Sequence, residues 1–491
     1  MIEMDTLSPA RSARNAAPAR RRPPAMALKV LVIVAVTAAV WCVPPAAGMD
    51  PRGMHMAAIF LGTILALILQ PLPTASVAVV GLAVAMITGT MDASTEALQG
   101  FGNSAVWLIV AAFFIADGFL VTGLGRRVAL WFVARLGRSS LGLSYGMAVT
   151  DLLLAPATPS NTARAGGVVF PIISSLAQVQ GSTPETEQSR RRLGAYLAMT
   201  AVQVNTVTSA MFLTAMAGNP LAAEFAAQAG IEVSWGTWAL AALVPGLLSL
   251  TAVPWVMAKI YPPTLKQTPE APVQARQELS QLGAMSFHEK TMAGTFLLLL
   301  VLWCLGSVLD LNATAVAFVG ISILLVTRVL SWKQMAANSG AWSTLLFFAV
   351  LVGMASHLND LGVIDWVGAS ATALVGGMSW VVAFAVLALV YFYAHYFFAS
   401  NTAQVVAMYA VFLGAAVGAG TPPLLAALAF GFIGNLFGGL AHYSSGPAGV
   451  VYGSGYVPTG EWFRVGFLMS VVNIVIWTVA GGLWTKLLGM W

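Results

Sequence analysis

Long apolar runs, separated by short polar stretches, follow one another along almost the whole chain. Crossing a bilayer takes about 20 mostly apolar residues. Runs of that kind lie near 27–45, 54–70, 73–90, 103–123, 237–260, 291–309, 312–328, 342–358 and 465–487. Two longer apolar regions, 140–230 and 377–458, are broken by Pro, Gly and runs of Ser, Thr and Asn, and they do not divide cleanly into spans. The pattern predicts an all-α polytopic membrane protein.

The composition excludes the main classes of water-soluble protein. Of 491 residues, 58% are hydrophobic and only 8% are charged, whereas about 25% are charged in a soluble protein. So few charges cannot cover a water-facing surface of this size, which excludes a soluble enzyme, a nucleic-acid-binding protein and a disordered chain. The two cysteines, Cys42 and Cys304, lie in apolar runs and are too few for a disulfide framework or a zinc site. The lipid bilayer is therefore the expected partner of the chain.

Polar segments divide the chain into a basic tail (1–26), a first half (27–260), a linker (261–290) and a second half (291–491). A basic tail before an apolar run also fits a signal peptide, but no soluble domain follows, so we expect an uncleaved first span. Lys and Arg concentrate in cytoplasmic loops. We therefore expect a multi-pass protein of a bacterial-type inner membrane, with a cytoplasmic N-terminus and an external C-terminus. In this orientation only Arg52 and Lys486 lie outside. The basic residues on the cytoplasmic side are Arg126, Arg127, Arg135, Arg138, Arg190, Arg191, Arg192, Lys259, Lys266, Arg276, Lys290, Arg328, Lys333 and Arg464.

The two halves resemble each other. Ser160-Asn161-Thr162-Ala163 recurs 240 residues later as Ser400-Asn401-Thr402-Ala403, and Leu124-Gly125 recurs 237 residues later as Leu361-Gly362. Arginines follow the first Leu-Gly pair, whereas aspartates and no basic residue flank the second, so the two copies are predicted to face opposite sides. Inverted repeats with interrupted helices are typical of secondary transporters, whose substrate site lies at the interruptions.

The interruptions carry helix-capping residues. Pro156 and Pro159 disfavour a continuous helix, and Ser160, Asn161 and Thr162 are good N-caps for the apolar helix that follows. Ser400, Asn401 and Thr402 repeat this cap series. Each copy therefore predicts a re-entrant hairpin with a helix N-terminus at its tip, and two facing N-termini suit a ligand with two carboxylates. The alternative is that these residues only cap buried helix breaks.

Arg164 lies just after the first tip, in an otherwise apolar stretch. A charge inside the membrane is functional by default, and a cation here could compensate the charge of an anionic substrate. The alternative is a structural ion pair with Asp151 or with Asp117. Asp151 is also a weaker candidate for the substrate site.

Two further breaks follow the hairpins. The first contains Gly218-Asn219-Pro220, and the second contains His442 and Ser445-Gly446-Pro447. Unwound backbone at membrane depth is tolerated only where it is buried in protein or lines a cavity, so Asn219 and the Ser445-Gly446-Pro447 segment are predicted to join the site. For the lone histidine, His442, packing is the alternative to donating a hydrogen bond to a carboxylate.

No catalytic constellation is present. The sequence has no HExxH, GxSxG, Walker A or Rossmann signature, so no enzyme is expected and an ATP-driven pump has no support. An anion channel is the alternative of a different class. A channel favours pore-lining repeats of one kind, whereas two different polar breaks that face each other favour an occluding carrier.

These motifs resemble the divalent anion:sodium symporter (DASS) family, in which paired SNT motifs mark hairpin tips. PATPSNTARAGG together with HYSSGPAGVVYGSGYV is similar to the branch that holds plastid 2-oxoglutarate/malate translocators and bacterial citrate/succinate and tartrate/succinate antiporters. The resemblance, from about residue 27 to the end, implies eleven spans, two re-entrant hairpins, a homodimer and an elevator mechanism. It also implies that both SNT motifs hold substrate carboxylates, with help from the two later breaks.

The energy source is left open between exchange and sodium symport. Sodium-coupled members usually have a proline pair at the later breaks and a serine one turn before the first SNT, where this chain has AGNPL, SGPAG and Pro156. Arg164 as a fixed cation favours exchange of di- or tricarboxylates, because an empty carrier would expose an uncompensated charge when it crosses. The alternative is sodium symport, with Na⁺ near Ser160, Asn161 and Asn401. No other cofactor is expected.

Overall fold

The computed structural model describes residues 24–46, 49–374 and 377–491, so most of the predicted tail at 1–26 lies outside the described residues. The described part is built from α-helices with short 3₁₀ and π segments, and its one extended pairing is an isolated bridge between Ser139 and Gln267. The all-helical prediction is therefore confirmed for this part of the chain.

The helices are numbered in chain order. Those of the first half are α1 (Pro24–Trp41), α2 (Gly53–Leu69), α3 (Thr74–Ile87), α4 (Ser104–Thr122), α5 (Leu124–Leu136), α6 (Ser140–Leu154), α7 (Asn161–Arg164), α8 (Phe170–Val179), α9 (Glu187–Arg190), α10 (Gly194–Met211), α11 (Gly218–Gln228) and α12 (Trp235–Ile260). The linker and second half contain α13 (Glu270–Leu282), α14 (Phe287–Cys304), α15 (Gly306–Leu309), α16 (Ala313–Val326), α17 (Trp332–Ala337), α18 (Ser339–Asp360), α19 (Val363–Leu374), α20 (Trp380–Tyr393), α21 (Asn401–Gly418), α22 (Pro423–Leu436), α23 (Gly446–Gly453), α24 (Thr459–Ile476) and α25 (Gly482–Leu487).

Every apolar run that the sequence predicts as a span corresponds to a helix. Within the described ranges, seven helices are long and apolar enough to cross a membrane, and five shorter apolar helices accompany them. The π segment Trp477–Gly481 joins α24 to α25, so the last of the seven extends over Thr459–Leu487. Large apolar side chains remain exposed on these helices, as expected where the surroundings are lipid.

The predicted linker contains a helix that the sequence did not indicate. α13 packs against α5, and Arg126 of α5 pairs with Glu278 of α13 at 2.8 Å. Just before α13, the chain pairs with the start of α6 and with the segment between α9 and α10: the Ser140 amide donates to the carbonyl of Lys266, and the Leu265 amide donates to the carbonyl of Arg192. The linker is thus anchored to the first half by backbone hydrogen bonds.

The same order of elements occurs in both halves. A long helix (α4 or α18) leads to a Leu-Gly pair and a short helix (α5 or α19). A hairpin, an apolar helix (α10 or α22), a 3₁₀ break, a short helix (α11 or α23) and a long helix (α12 or α24) follow. The internal repeat itself and the opposite orientation of the two halves stay predictions.

Candidate functional site

The first hairpin turns at a 3₁₀ segment, Ala155–Ala157, and its second arm starts at Ser160. Ser160 has extended backbone (φ −92°, ψ 94°), and its Oγ accepts the Ala163 amide at 3.1 Å. This is the N-cap geometry that the sequence predicts. The helix then continues from α7 through a π segment, Ala165–Val169, into α8. Ser160, Asn161 and Thr162 all remain partly exposed at the tip.

The second hairpin has the same construction. A 3₁₀ segment, Ala394–Phe397, precedes Ser400, whose Oγ accepts the Ala403 amide at 3.4 Å. Thr402 is partly exposed, but Asn401 is buried, and its Nδ2 donates to the carbonyl of Gly434 at 3.0 Å. The two tips therefore differ: the Asn401 side chain is buried and hydrogen-bonded within the protein, whereas Asn161 is partly exposed.

The two later breaks present helix N-termini as well. After the 3₁₀ segment Leu213–Ala215, Asn219 lies in the first turn of α11, is 1% exposed, and donates to the carbonyls of Ser209 and Phe212 at 2.8 and 3.0 Å. In the second half, the Ser445 Oγ accepts the Ala448 amide at 3.3 Å and donates to the carbonyl of Gly438 at 2.8 Å. Pro447 is buried near the start of α23, where its missing N–H loses no hydrogen bond.

The tips and breaks meet across the halves. Thr162 of the first tip lies against Gly446, so closely that a Cβ on Gly446 would be 1.9 Å from the Thr162 Oγ1. Thr402 of the second tip lies 3.8 Å from the sulfur of Met216 in the first break. Asn435 Nδ2 donates to Asn219 Oδ1 at 2.7 Å. Four of the predicted site residues therefore contact the other half of the chain, and each tip threonine meets the break of the other half.

Arg164 is fully buried, and all five of its N–H donors have partners. Its Nε donates to Asp151 Oδ1 at 2.9 Å, Nη1 donates to the carbonyls of Thr158 and Ala215, and Nη2 donates to the hydroxyls of Thr208 and Ser209. Of the alternatives that the sequence left open, the structure shows the pair with Asp151. All guanidinium donors are used within the protein in this structure, and a charge-compensating role of Arg164 toward a substrate stays a prediction. The Asp151 carboxylate likewise accepts hydrogen bonds from Arg164, Asn205 and Thr208.

His442 packs among aromatic rings. Its ring centroid lies 4.2 Å from that of Tyr452 and 5.1 Å from that of Tyr443. His442 thus packs against these rings in this structure, and its hydrogen bond to a substrate carboxylate stays a prediction. A different histidine, His395, is fully buried: its Nδ1 lies 2.6 Å from Gln404 Oε1 and its Nε2 lies 2.8 Å from the carbonyl oxygen of Ser444.

Sequence reasoning missed Met216, Gln404 and Asn435. Gln404 could have been found, because it stands at the same place after the second SNT as Arg164 does after the first. No local sequence pattern marks Met216 or Asn435, since both acquire their roles from contacts with the other half of the chain.

Metal binding is a separate question. The described residues contain no group of three or more His, Cys, Asp and Glu side chains that could hold a metal ion. Sodium instead takes backbone and amide oxygens, so Na⁺ near Ser160, Asn161 and Asn401 stays a prediction.

Comparisons with known proteins identify the family of the chain. The family model described as the sodium:sulfate symporter transmembrane region matches residues 25–491. YflS of Bacillus subtilis (strain 168), provisionally named a malate transporter, is 48% identical, and the match covers 94% of this chain and 96% of YflS. The chloroplastic dicarboxylate transporter 1 of Spinacia oleracea is 46% identical, covering 92% of this chain and 80% of that protein.

A third relative and a solved structure extend the comparison. The citrate/succinate antiporter of Escherichia coli (strain K12) is 36% identical, with 94% of this chain and 98% of the relative covered. The crystal structure of the YdaH transporter of Alcanivorax borkumensis matches 95% of this chain and 99% of its own, with a TM-score of 0.56 and 16% identity. At that identity the structural match supports the fold alone.

Proposed function

Since the chain belongs to the sodium:sulfate symporter transmembrane family, a family of transporters and not of enzymes, we propose that it carries di- or tricarboxylate anions across the membrane. Its relatives include proteins named for malate, dicarboxylates, citrate and succinate. The substrate of this chain is assigned from those names together with the chemistry of the site.

The observation that carries the proposal is the crossed arrangement of tips and breaks. Helix N-termini offer backbone N–H groups and a partial positive charge, and both favour anions. One lobe of the proposed site lies at the contact of Thr162 with Gly446, and the other lies at the contact of Thr402 with Met216. Two lobes, each at a helix N-terminus, suit the two carboxylates of one substrate. Because Arg164 is neutralised by Asp151, these dipoles and hydroxyls have to compensate the substrate's charge.

Exchange remains our proposal for the mode of transport, with sodium symport as the alternative. The sequence argument for exchange treated Arg164 as an uncompensated cation, and the pair with Asp151 removes that argument. Support now comes from the departures at AGNPL, SGPAG and Pro156 and from the relative named as an antiporter. Eleven spans, two re-entrant hairpins in inverted halves, an elevator movement and a homodimer belong to the same proposal, as does an inner-membrane orientation with the C-terminus outside.

Uptake into proteoliposomes tests the proposal. Labelled malate, succinate, 2-oxoglutarate, tartrate, citrate and sulfate are each offered with and without internal dicarboxylate, and with and without an inward sodium gradient. Saturable dicarboxylate uptake that needs internal dicarboxylate and ignores sodium is the expected result. Sodium-driven uptake into empty liposomes would establish symport instead. Non-saturating uptake without counterflow would favour an anion channel, and uptake of sulfate alone would overturn the carboxylate assignment.

A further inference from the structure

The two lobes of the proposed site are not equivalent. At the first lobe, the Thr162 hydroxyl lies against the backbone of Gly446, which is exposed and has no side chain. At the second lobe, Thr402 faces the side chain of Met216, which is 2% exposed. One lobe is therefore bordered by bare backbone, whereas a long, flexible side chain occupies the other.

The sulfur of Met216 contacts two hydrogen-bond donors. It accepts the backbone amide of Gly218, the first residue of α11, at 2.9 Å, and the hydroxyl of Thr402 lies 3.8 Å away. A thioether is a weak acceptor, so neither donor is well satisfied. A helix-terminal amide and a tip hydroxyl are also the donors that a carboxylate would use, and hydrogen bonds to a carboxylate are about twice as strong as those between neutral groups.

We propose that Met216 is a specificity-determining residue that holds the place of one substrate carboxylate and limits the size of the substrate. This inference rests on the proposed function. The first carboxylate binds beside the Thr162 hydroxyl at the first tip. The second displaces the Met216 sulfur from Gly218 and Thr402, which the three rotatable bonds of methionine permit. The displaced side chain stays beside the ligand and restricts its length and branching.

Substituting Met216 tests the inference. In proteoliposomes, the KM values of succinate, glutarate, adipate and citrate are compared between wild type, Met216→Ala and Met216→Leu. Met216→Ala should lower the ratio of the KM of adipate or citrate to that of succinate by about tenfold, the scale set by one methylene in a close-fitting pocket. Met216→Leu keeps the bulk and should keep the wild-type ratio. Met211→Ala is the matched control, because buried Met211 packs against Gly246 on α12.

Two outcomes overturn the inference while leaving the proposed function intact: unchanged ratios in Met216→Ala, or the same shift in Met211→Ala. If the wild-type protein transports no carboxylate, the proposed function itself is wrong. A second measurement covers the case in which Met216→Ala does not fold. Met216→Cys, in a background without Cys42 and Cys304, should react more slowly with a small thiol reagent when succinate is present, whereas acetate should not protect it. Absence of protection by succinate also overturns the inference.

Discussion

Arg164 and Gln404 follow the two SNT motifs at the same distance, and each reaches back 13 positions to its own hairpin. Arg164 Nε donates to Asp151 Oδ1 at 2.9 Å, and Gln404 Nε2 donates to the carbonyl of Tyr391 at 2.6 Å. The long arginine also reaches the carbonyl of Ala215 in the following break, whereas the shorter glutamine reaches the second break through His395. Each hairpin is thus hydrogen-bonded to the break that follows it, through the Arg164 guanidinium in one half and through Gln404 and His395 in the other.

The buried Arg164–Asp151 pair should matter for folding more than for substrate charge. Removing one member of a buried ion pair costs about 3–5 kcal/mol, because it leaves a buried charge without compensation. We expect Arg164→Gln to lower the thermal stability of the detergent-solubilised protein strongly. Asp151→Asn combined with Arg164→Gln should recover much of that loss, since the pair then becomes neutral like its counterpart in the second half.

Differential scanning fluorimetry and transport assays on the same preparations check this prediction. A single Arg164→Gln variant with wild-type stability and a selective loss of affinity for dianions over monoanions would contradict it. That result would indicate that Arg164 contacts the substrate directly.

Substitutions of the two tip asparagines should have the same effect on transport and different effects on stability. We expect both Asn161→Ala and Asn401→Ala to abolish dicarboxylate uptake, because both lie at the N-termini that we propose to hold the carboxylates. Asn401→Ala should also lose about 1 kcal/mol of stability, since its amide bonds the carbonyl of Gly434. Asn161 is partly exposed, so its variant should keep wild-type stability. Normal uptake by both variants would place the site elsewhere.

Gly446 should tolerate no side chain. A Cβ there would lie 1.9 Å from the Thr162 Oγ1, whereas a Cβ on Gly449 of the same helix has no neighbour within 4 Å. We therefore expect Gly446→Ala to abolish uptake by displacing the first tip, and Gly449→Ala to transport at close to the wild-type rate. Equal activity of the two variants would show that the contact between Thr162 and α23 does not shape the site.

The far ends of the two hairpins should be accessible from opposite sides of the membrane. Gly181 and Gly420 mark those ends, but both have positive φ values (65° and 91°), which strain any other residue. Exposed Glu185 and Gly418 are better positions for single cysteines without Cys42 and Cys304. An impermeant thiol reagent should label Glu185→Cys only from the cytoplasm and Gly418→Cys only from outside. Labelling of both from one side would reject the inverted halves.

The sequence by itself determined the helices of the nine clear apolar runs and the N-caps Ser160 and Ser400, because hydropathy, proline and capping residues act over a few neighbouring positions. It also indicated the paired tips through the repeated SNT motif. The helix α13 was missed, since its apolar residues are few and become buried only against α5. The helix boundaries within the long apolar regions 140–230 and 377–458 could not be predicted for a related reason: the breaks between these helices are stabilised by contacts with other segments.

Only the tertiary structure decided what the side chains of the site contact. Arg164 had two open alternatives because Asp151 and a bound anion both satisfy a guanidinium, and the choice depends on how the two arms of the hairpin pack. Met216 meets Thr402 across 186 positions and Asn435 meets Asn219 across 216. Such contacts are fixed by the relative placement of the two halves. No local pattern records that placement, because it results from the packing of the whole helix bundle.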